Sequence, residues 1–136
     1  MFRQLVSSHT PWEAMAGYSR AVRVGAHVYV SGTTASDEQG AVQSPGDAAA
    51  QTRYVLAKIA RALEACGASL EDVVRTRIFV SNIQDWEAVA RAHGDIFGAI
   101  RPANTLVRAE LIDPSMLVEI EAEALIVTSE SGKASG

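Results

Sequence analysis

The segment Val118-Glu119-Ile120-Glu121-Ala122-Glu123-Ala124 alternates strictly between apolar and acidic residues. A period of two puts Ile120, Ala122 and Ala124 on one face of a strand and Glu119, Glu121 and Glu123 on the other. A second segment, Val73 to Val80, puts Val74, Thr76, Ile78 and Val80 on one face and Arg75, Arg77 and Phe79 on the other. The two segments together predict a sheet with one apolar face for a core and one face that mixes charges with large apolar groups. That second face is expected to carry Arg75, Arg77, Arg108, Glu119, Glu121 and Glu123 among Tyr29, Phe79 and Leu106. A solvated face does not need the aromatics, and a plain core does not tolerate the charges. The pattern suits a surface buried against copies of the same chain, where Arg–Glu pairs limit the desolvation cost. It predicts a homo-oligomer.

The other elements follow from spacing. Arg20 to Val24 and His27 to Ser31 flank Gly25-Ala26 and read as a hairpin, and Phe2 to Val6 adds a short first strand. Thr105, Val107 and Ala109 oppose Asn104, Leu106, Arg108 and Glu110 in a further strand. Two segments read as amphipathic helices. In the first, Ser44 precedes Pro45 in a capping arrangement, Val55, Ile59, Leu63 and Cys66 form the apolar stripe, and Gly67 is the stop. The second runs from about Asp85 to Phe97, with Trp86, Val89, Ala90, His93, Ile96 and Phe97 on one side and Gly98 at its end. The order β-β-β-α-β-α-β-β predicts an α+β sheet with two helices on one face. Residues 1–128 are expected to form a single domain and residues 129–136 a flexible polar tail.

Composition closes several alternatives. A chain of 136 residues with 48% apolar and 21% charged residues has the mix of one folded globular domain. The net charge of −4, with only Lys58 and Lys133 as lysines, argues against nucleic acid as a partner. No apolar run approaches the roughly 18 residues that span a bilayer, and the N-terminal segment has no apolar signal core, so a cytoplasmic protein with no membrane partner is expected. The lone Cys66 excludes an internal disulfide framework. No metal site is expected, because His9, His27, His93 and Cys66 lack ligand spacing. Ser31-Gly32-Thr33-Thr34 lacks a nucleophile elbow and reads as a strand ending in a turn. His93 sits inside an apolar stripe and reads first as a packed histidine, although it is the stripe's one residue that titrates near neutrality.

Several pieces, in order and with their gaps, resemble the Rid superfamily (reactive intermediate deaminases, YjgF-like). They are Gly17-Tyr18 ahead of the hairpin, Val30-Ser31-Gly32, Ala50-Gln51-Thr52, and the run from Asp72 to Val80. Arg101-Pro102-Ala103 and Val118-Glu119-Ile120-Glu121-Ala122 complete the set. The resemblance implies a chorismate-mutase-like protomer and a homotrimer with a central β-barrel, helices outside and a small-molecule pocket at each subunit interface. It implies cofactor-free hydrolysis of reactive enamine or imine metabolites to a carbonyl product and ammonia. By position Glu119 matches the family's acidic residue, Tyr18 its pocket tyrosine, and Ser31 and Gly32 its strand-end pair. Asn104 stands where active members carry an arginine, Leu106 where they carry a cysteine, and Ala90 where an asparagine is frequent. Asn104 and Thr105 offer neutral hydrogen bonds to a ligand, Arg101 is placed at the pocket mouth, and His93 completes the candidate binding set. A guanidinium fork suits a carboxylate ligand, so its replacement leaves two implied readings: an enamine or imine deaminase working through Glu119, or a non-catalytic trimer that binds a small metabolite. Nuclease activity, attached to relatives, fits the acidic charge least.

Overall fold

The computed structural model describes residues 2–127; the expected tail, residues 129–136, lies outside them. Six strands form one sheet in the order β1-β2-β3-β6-β4-β5. They are β1 (Arg3–Val6), β2 (Ala21–Val24), β3 (His27–Thr34), β4 (Val73–Val80), β5 (Ala103–Arg108) and β6 (Val118–Leu125). All neighbours are antiparallel except β4 and β5, which run parallel because α3 (Trp86–Phe97) carries the chain back between them. The long helix α2 (Ala48–Ala65) lies beside α3 and packs on β3 and β6.

The core fills the space between α2, α3 and the apolar face of the sheet. Val28, Val30, Ile78, Val80, Val118, Ile120, Ala122 and Ala124 meet Val55, Leu56, Ile59, Leu63, Val89 and Phe97 there, all buried. Cys66 caps the end of α2 inside this layer, and burial pushes its thiol up against the weaker opposing pull of Arg23. The opposite face carries no helix, and Tyr29 and Val107 stand half-exposed on it.

Several sequence expectations shift. A short helix, α1 (Pro11–Ala16), precedes β2 and had no periodic signal; it ends at Gly17, whose φ of 75° is the left-handed reversal a Cβ disfavours. Helix α2 starts later than expected, because Asp47 rather than Ser44 is the cap and accepts the Ala50 N–H at 3.0 Å. Strand β3 continues past Ser31 to Thr34 through a register shift between Val30 and Thr33. An irregularity between Val73 and Arg75 turns Val74 outward, 50% exposed, while Val73 takes the core position. In α3 the buried side is Val89, Ala92, His93 and Phe97; Trp86 and Ile96 remain partly exposed. Helix α3 does end at Gly98, its C-cap, and the left-handed reversal follows at Arg101, with φ of 57° and its N–H on the Phe97 carbonyl.

The charged face is smaller than expected. Register pairs Arg77 with Thr105 and Glu121, and Phe79 with Val107 and Glu119. Leu106 pairs with Ile78 and Arg108 with Val80, so both belong to the helix-side face and leave the mixed face. Arg77 remains there, its Nη1 3.0 Å from both the Glu121 and Glu123 carboxylates.

Candidate active site

The Glu119 side chain lies where β3 and β6 part company. β6 passes Thr34 opposite Glu119, and the shift in β3 brings Gly32 against the same side chain. Around this point a cavity of about 220 Å³ is lined by Trp12 and Tyr18 from α1 and its exit, Gly32 and Thr34 from β3, Lys58 from α2, Met116 from the loop before β6, and Glu119 from β6.

Arg20 builds the wall. It is 4% exposed, and its Nη1 donates to the Gly32 carbonyl at 2.6 Å and to Thr33 Oγ1 at 3.0 Å. These bonds hold the irregular turn of β3 that a regular ladder cannot satisfy. The guanidinium lies over the Tyr18 ring and pairs on its other side with Glu13, Nε to Oε2 at 3.6 Å. Burial alone pushes the Glu13 carboxyl up; hydrogen bonds from Ser8, Thr10 and Ser7 reverse that and hold it at about 2. The side chain of Ser31 turns away from the cavity and donates to the Ser19 carbonyl at 2.7 Å.

Glu119 makes no ion pair among the described residues. Burial pushes its carboxyl up; Arg20 pulls it down and Glu121 adds a smaller push upward. A carboxylate that is held near water and costs free energy to ionise is a proton acceptor of raised basicity. Lys58 is driven the other way, down to about 8, by burial and by the cations Arg20 and Arg61, against Glu13 and Asp37.

The remaining candidates form a second cluster. Asn104 Nδ2 donates to Thr76 Oγ1 at 2.9 Å, and Thr76 Oγ1 lies 2.9 Å from His93 Nε2. Burial lowers the His93 pKa, and its ring rests on Phe97 at 4.6 Å. Asn104 and His93 are on the helix-side face, opposite the face of Glu119; Thr105, paired with Arg77, is on the Glu119 face but exposed on the edge strand β5 with β4 between them, and Arg101 is exposed before that strand. Within one protomer, therefore, Tyr18, Gly32 and Glu119 meet, whereas Asn104, Thr105, Arg101 and His93 do not join them. Sequence reasoning missed Arg20, Glu13 and Lys58. Lys58 had a signal: it falls three residues after Val55 and four before Ala62, on the apolar side of α2. Among the described residues no three His, Cys, Asp or Glu side chains gather into a metal site, and no helix is long and apolar enough to cross a membrane.

An α+β sheet of this order, with its helices on one face and a carboxylate cavity at a strand irregularity, defines a YjgF-type protomer. The chain belongs to the family described as Endoribonuclease L-PSP, the YjgF/Rid family, whose model matches residues 8–126. It is 38% identical over 120 residues to the uncharacterized protein SCO2049 of Streptomyces coelicolor, covering 88% of this chain and 89% of that one. It is 39% identical over 110 residues to the 3-aminoacrylate deaminase RutC of Acinetobacter baylyi, covering 81% and 87%. The crystal structure of Rv2704 from Mycobacterium tuberculosis, a YjgF/YER057c/UK114 family member, superposes with a TM-score of 0.83 at 48% identity over 92% of this chain and all of that one. The YjgF gene product of E. coli superposes with a TM-score of 0.78 at 28% identity, over 91% of this chain and 98% of that one.

Proposed function

We propose that the protein is a cofactor-free hydrolase of small reactive enamines or imines. The observation that carries this reading is Glu119: a half-buried carboxylate with raised basicity, unpaired among the described residues and facing a cavity at a position without a side chain, Gly32. The 39% identity to a 3-aminoacrylate deaminase supports the same class of reaction. An enamine takes a proton at carbon to become an imine. The Glu119 carboxylate removes a proton from water as its oxygen bonds to the imine carbon, and the C=N electron pair moves to nitrogen. The proton then passes from Glu119 to nitrogen to give a carbinolamine. Glu119 takes up the hydroxyl proton and returns it to nitrogen as the oxygen electron pair forms the C=O bond and the C–N bond breaks, so that a carbonyl compound and ammonia leave. Tyr18 bounds the substrate's position.

The uncovered sheet face supports assembly. Arg77, Glu121, Glu123 and Tyr29 leave a mixed surface that a second and third copy would cover as a central barrel. In such a homotrimer the Asn104 and Thr105 edge of one subunit would close the Glu119 cavity of the next. A cytoplasmic location suits a chain that intercepts short-lived metabolites.

The second reading, a trimer that binds a small metabolite without turning it over, is favoured by Asn104, whose amide is neutral and already donates to Thr76. A nuclease role finds no support in a chain of net charge −4. The deciding assay generates 2-aminoacrylate with a dehydratase and follows ammonia and 2-oxo acid release with and without the protein, then repeats it with bulkier imines. Acceleration of any of them supports the hydrolase; no acceleration of all of them assigns the binding reading.

A further inference from the structure

Helix α2 carries a lysine on its buried side, and the fold gives it a peculiar setting. Lys58 Nζ donates to the Thr34 carbonyl at 2.8 Å and to the Ser36 carbonyl at 2.7 Å. An ammonium has three hydrogens, so these two bonds leave one. Among the described residues Lys58 makes no ion pair. Of the nearby carboxylates, Glu13 accepts from Ser8 and Thr10 and pairs with Arg20, Asp37 accepts from the Gln39 and Ala41 amides, and Glu119, which shares the cavity wall, stands beyond ion-pair distance of Lys58. The nearby cations Arg20 and Arg61 repel Lys58. Lys58 also belongs to the wall of the Glu119 cavity and to that of a neighbouring cavity of about 460 Å³. A half-buried cation with a spare donor, crowded by like charges and bordering an open cavity, is an incomplete ion pair.

We propose that Lys58 is the anion anchor of this site: the carboxylate of a small 2-imino or 2-oxo acid accepts the spare Lys58 N–H while the acid's reactive carbon faces Glu119. This rests on the hydrolase reading only for the Glu119 end. The guanidinium of Arg20 is fixed in place, with Nη1 spent on Gly32 and Thr33, Nε facing Glu13 at 3.6 Å and Nη2 set 3.5 Å from the Tyr18 hydroxyl. An anion at Lys58 adds a charge-assisted hydrogen bond and lowers the repulsion between Lys58 and Arg20. The motif position at Asn104 then no longer needs an arginine for a carboxylate substrate to be held.

The test is an equilibrium titration with pyruvate and with its neutral isostere pyruvamide, read by heat or by the fluorescence of Trp12 in the cavity wall. The wild-type protein is expected to prefer pyruvate by about tenfold at pH 7, the factor one charge-assisted bond supplies. That preference should decline as pH rises through the Lys58 value of about 8, with Arg20, Arg61, Glu13, Asp37 and Glu119 the charged groups around it. Lys58→Gln keeps a donor for Thr34 or Ser36 but removes the charge. It should lose the preference while still binding pyruvamide, and Lys58→Arg should retain it. Glu119→Gln should retain the preference too, which separates this proposal from the hydrolytic one, since binding needs no turnover. Equal binding of both ligands by the wild type, binding of neither at millimolar concentration, or an undiminished preference in a folded Lys58→Gln protein overturns the anchor.

Discussion

Gly32 and Glu119 are so close that a Cβ on Gly32 would land on the Glu119 carboxylate. The backbone of Gly32 is pinned by Arg20 through its own carbonyl at 2.6 Å, so the glycine cannot retreat and the carboxylate must move. Gly32→Ala should therefore turn Glu119 out of the cavity. The expected result is a fall of at least about tenfold in imine hydrolysis with a stability loss of about 1–3 kcal/mol, the usual cost of an extra methyl in a filled site. Steady-state kinetics with a urea melt of the same variant checks both, and an alanine protein of unchanged rate would contradict the placement of Glu119 at the reacting atom.

Glu119→Gln removes the proton acceptor and keeps the shape. The hydrolytic rate should fall by about 10²-fold or more, in the range general-base catalysis contributes; a loss under about threefold would dismiss Glu119 as the base. The acid limb of the wild-type pH profile should lie above the ordinary carboxylate value of 4.5, because burial raises the Glu119 pKa. The same shift sets a stability sign. The folded protein holds this proton more tightly than the unfolded chain, so Glu119 costs stability as pH rises from 4.5 through its folded value. Glu119→Gln should then be more stable than the wild type at neutral pH, the stability–activity exchange expected of a catalytic group.

Strict alternation made β6 legible, because charge and apolar character differ at every step and only one parity buries the apolar set. Parity failed where the backbone departs from it. One irregularity before Arg75 was enough to send Val74 outward and bring Val73 in. The separation of Asn104 from Glu119 is also a matter of parity: Asn104 pairs with Thr76 and Glu119 with Phe79, three positions apart along β4 and thus on opposite faces. Spacing within a single segment does not carry cross-strand register, so this was not readable beforehand. The six residues of α1 are too few for a helical period, and its position follows from Glu13 and Gly17 binding tertiary partners and a reversal. Arg20 was opaque because its partners are backbone carbonyls of Ser31 and Gly32, which have no sequence signature.

Glu13 should govern acid stability. It is 5% exposed, and its hydroxyl donors keep it ionised down to about 2, against 4.5 in the unfolded chain. A folded value below the unfolded one adds stability that is complete above pH 4.5 and is lost as pH falls toward 2. The shift corresponds to roughly 3 kcal/mol, an upper figure for one group. Glu13→Gln leaves Arg20 without its partner and should lower stability at pH 7 by about 2–4 kcal/mol, while flattening the decline between pH 4.5 and 2. Denaturant midpoints measured across that interval for both proteins decide it; parallel curves would show that the acid transition arises elsewhere.

Thr76 links two side chains: it accepts from the Asn104 amide and lies 2.9 Å from His93 Nε2, with Thr76 wholly buried. With its oxygen accepting from Asn104, the hydroxyl proton is free to be donated to Nε2, which requires His93 to be neutral. Burial favours the same state by lowering the His93 pKa. Thr76→Val keeps the volume and removes the hydroxyl. Asn104 is exposed and can turn to water, whereas His93 cannot, so the cost should be about 1–3 kcal/mol, that of one buried unsatisfied group. The pH sign is opposite to that of Glu119. A histidine whose folded pKa is depressed contributes stability above its unfolded value of 6.5 and loses it as pH falls through the window below that value. A His93→Gln protein should lack this component, so the difference between its urea midpoints at pH 7.5 and pH 5 should be smaller than the wild-type difference. Equal differences would mean that His93 holds its proton equally well in the folded and unfolded chain, against the effect of its burial.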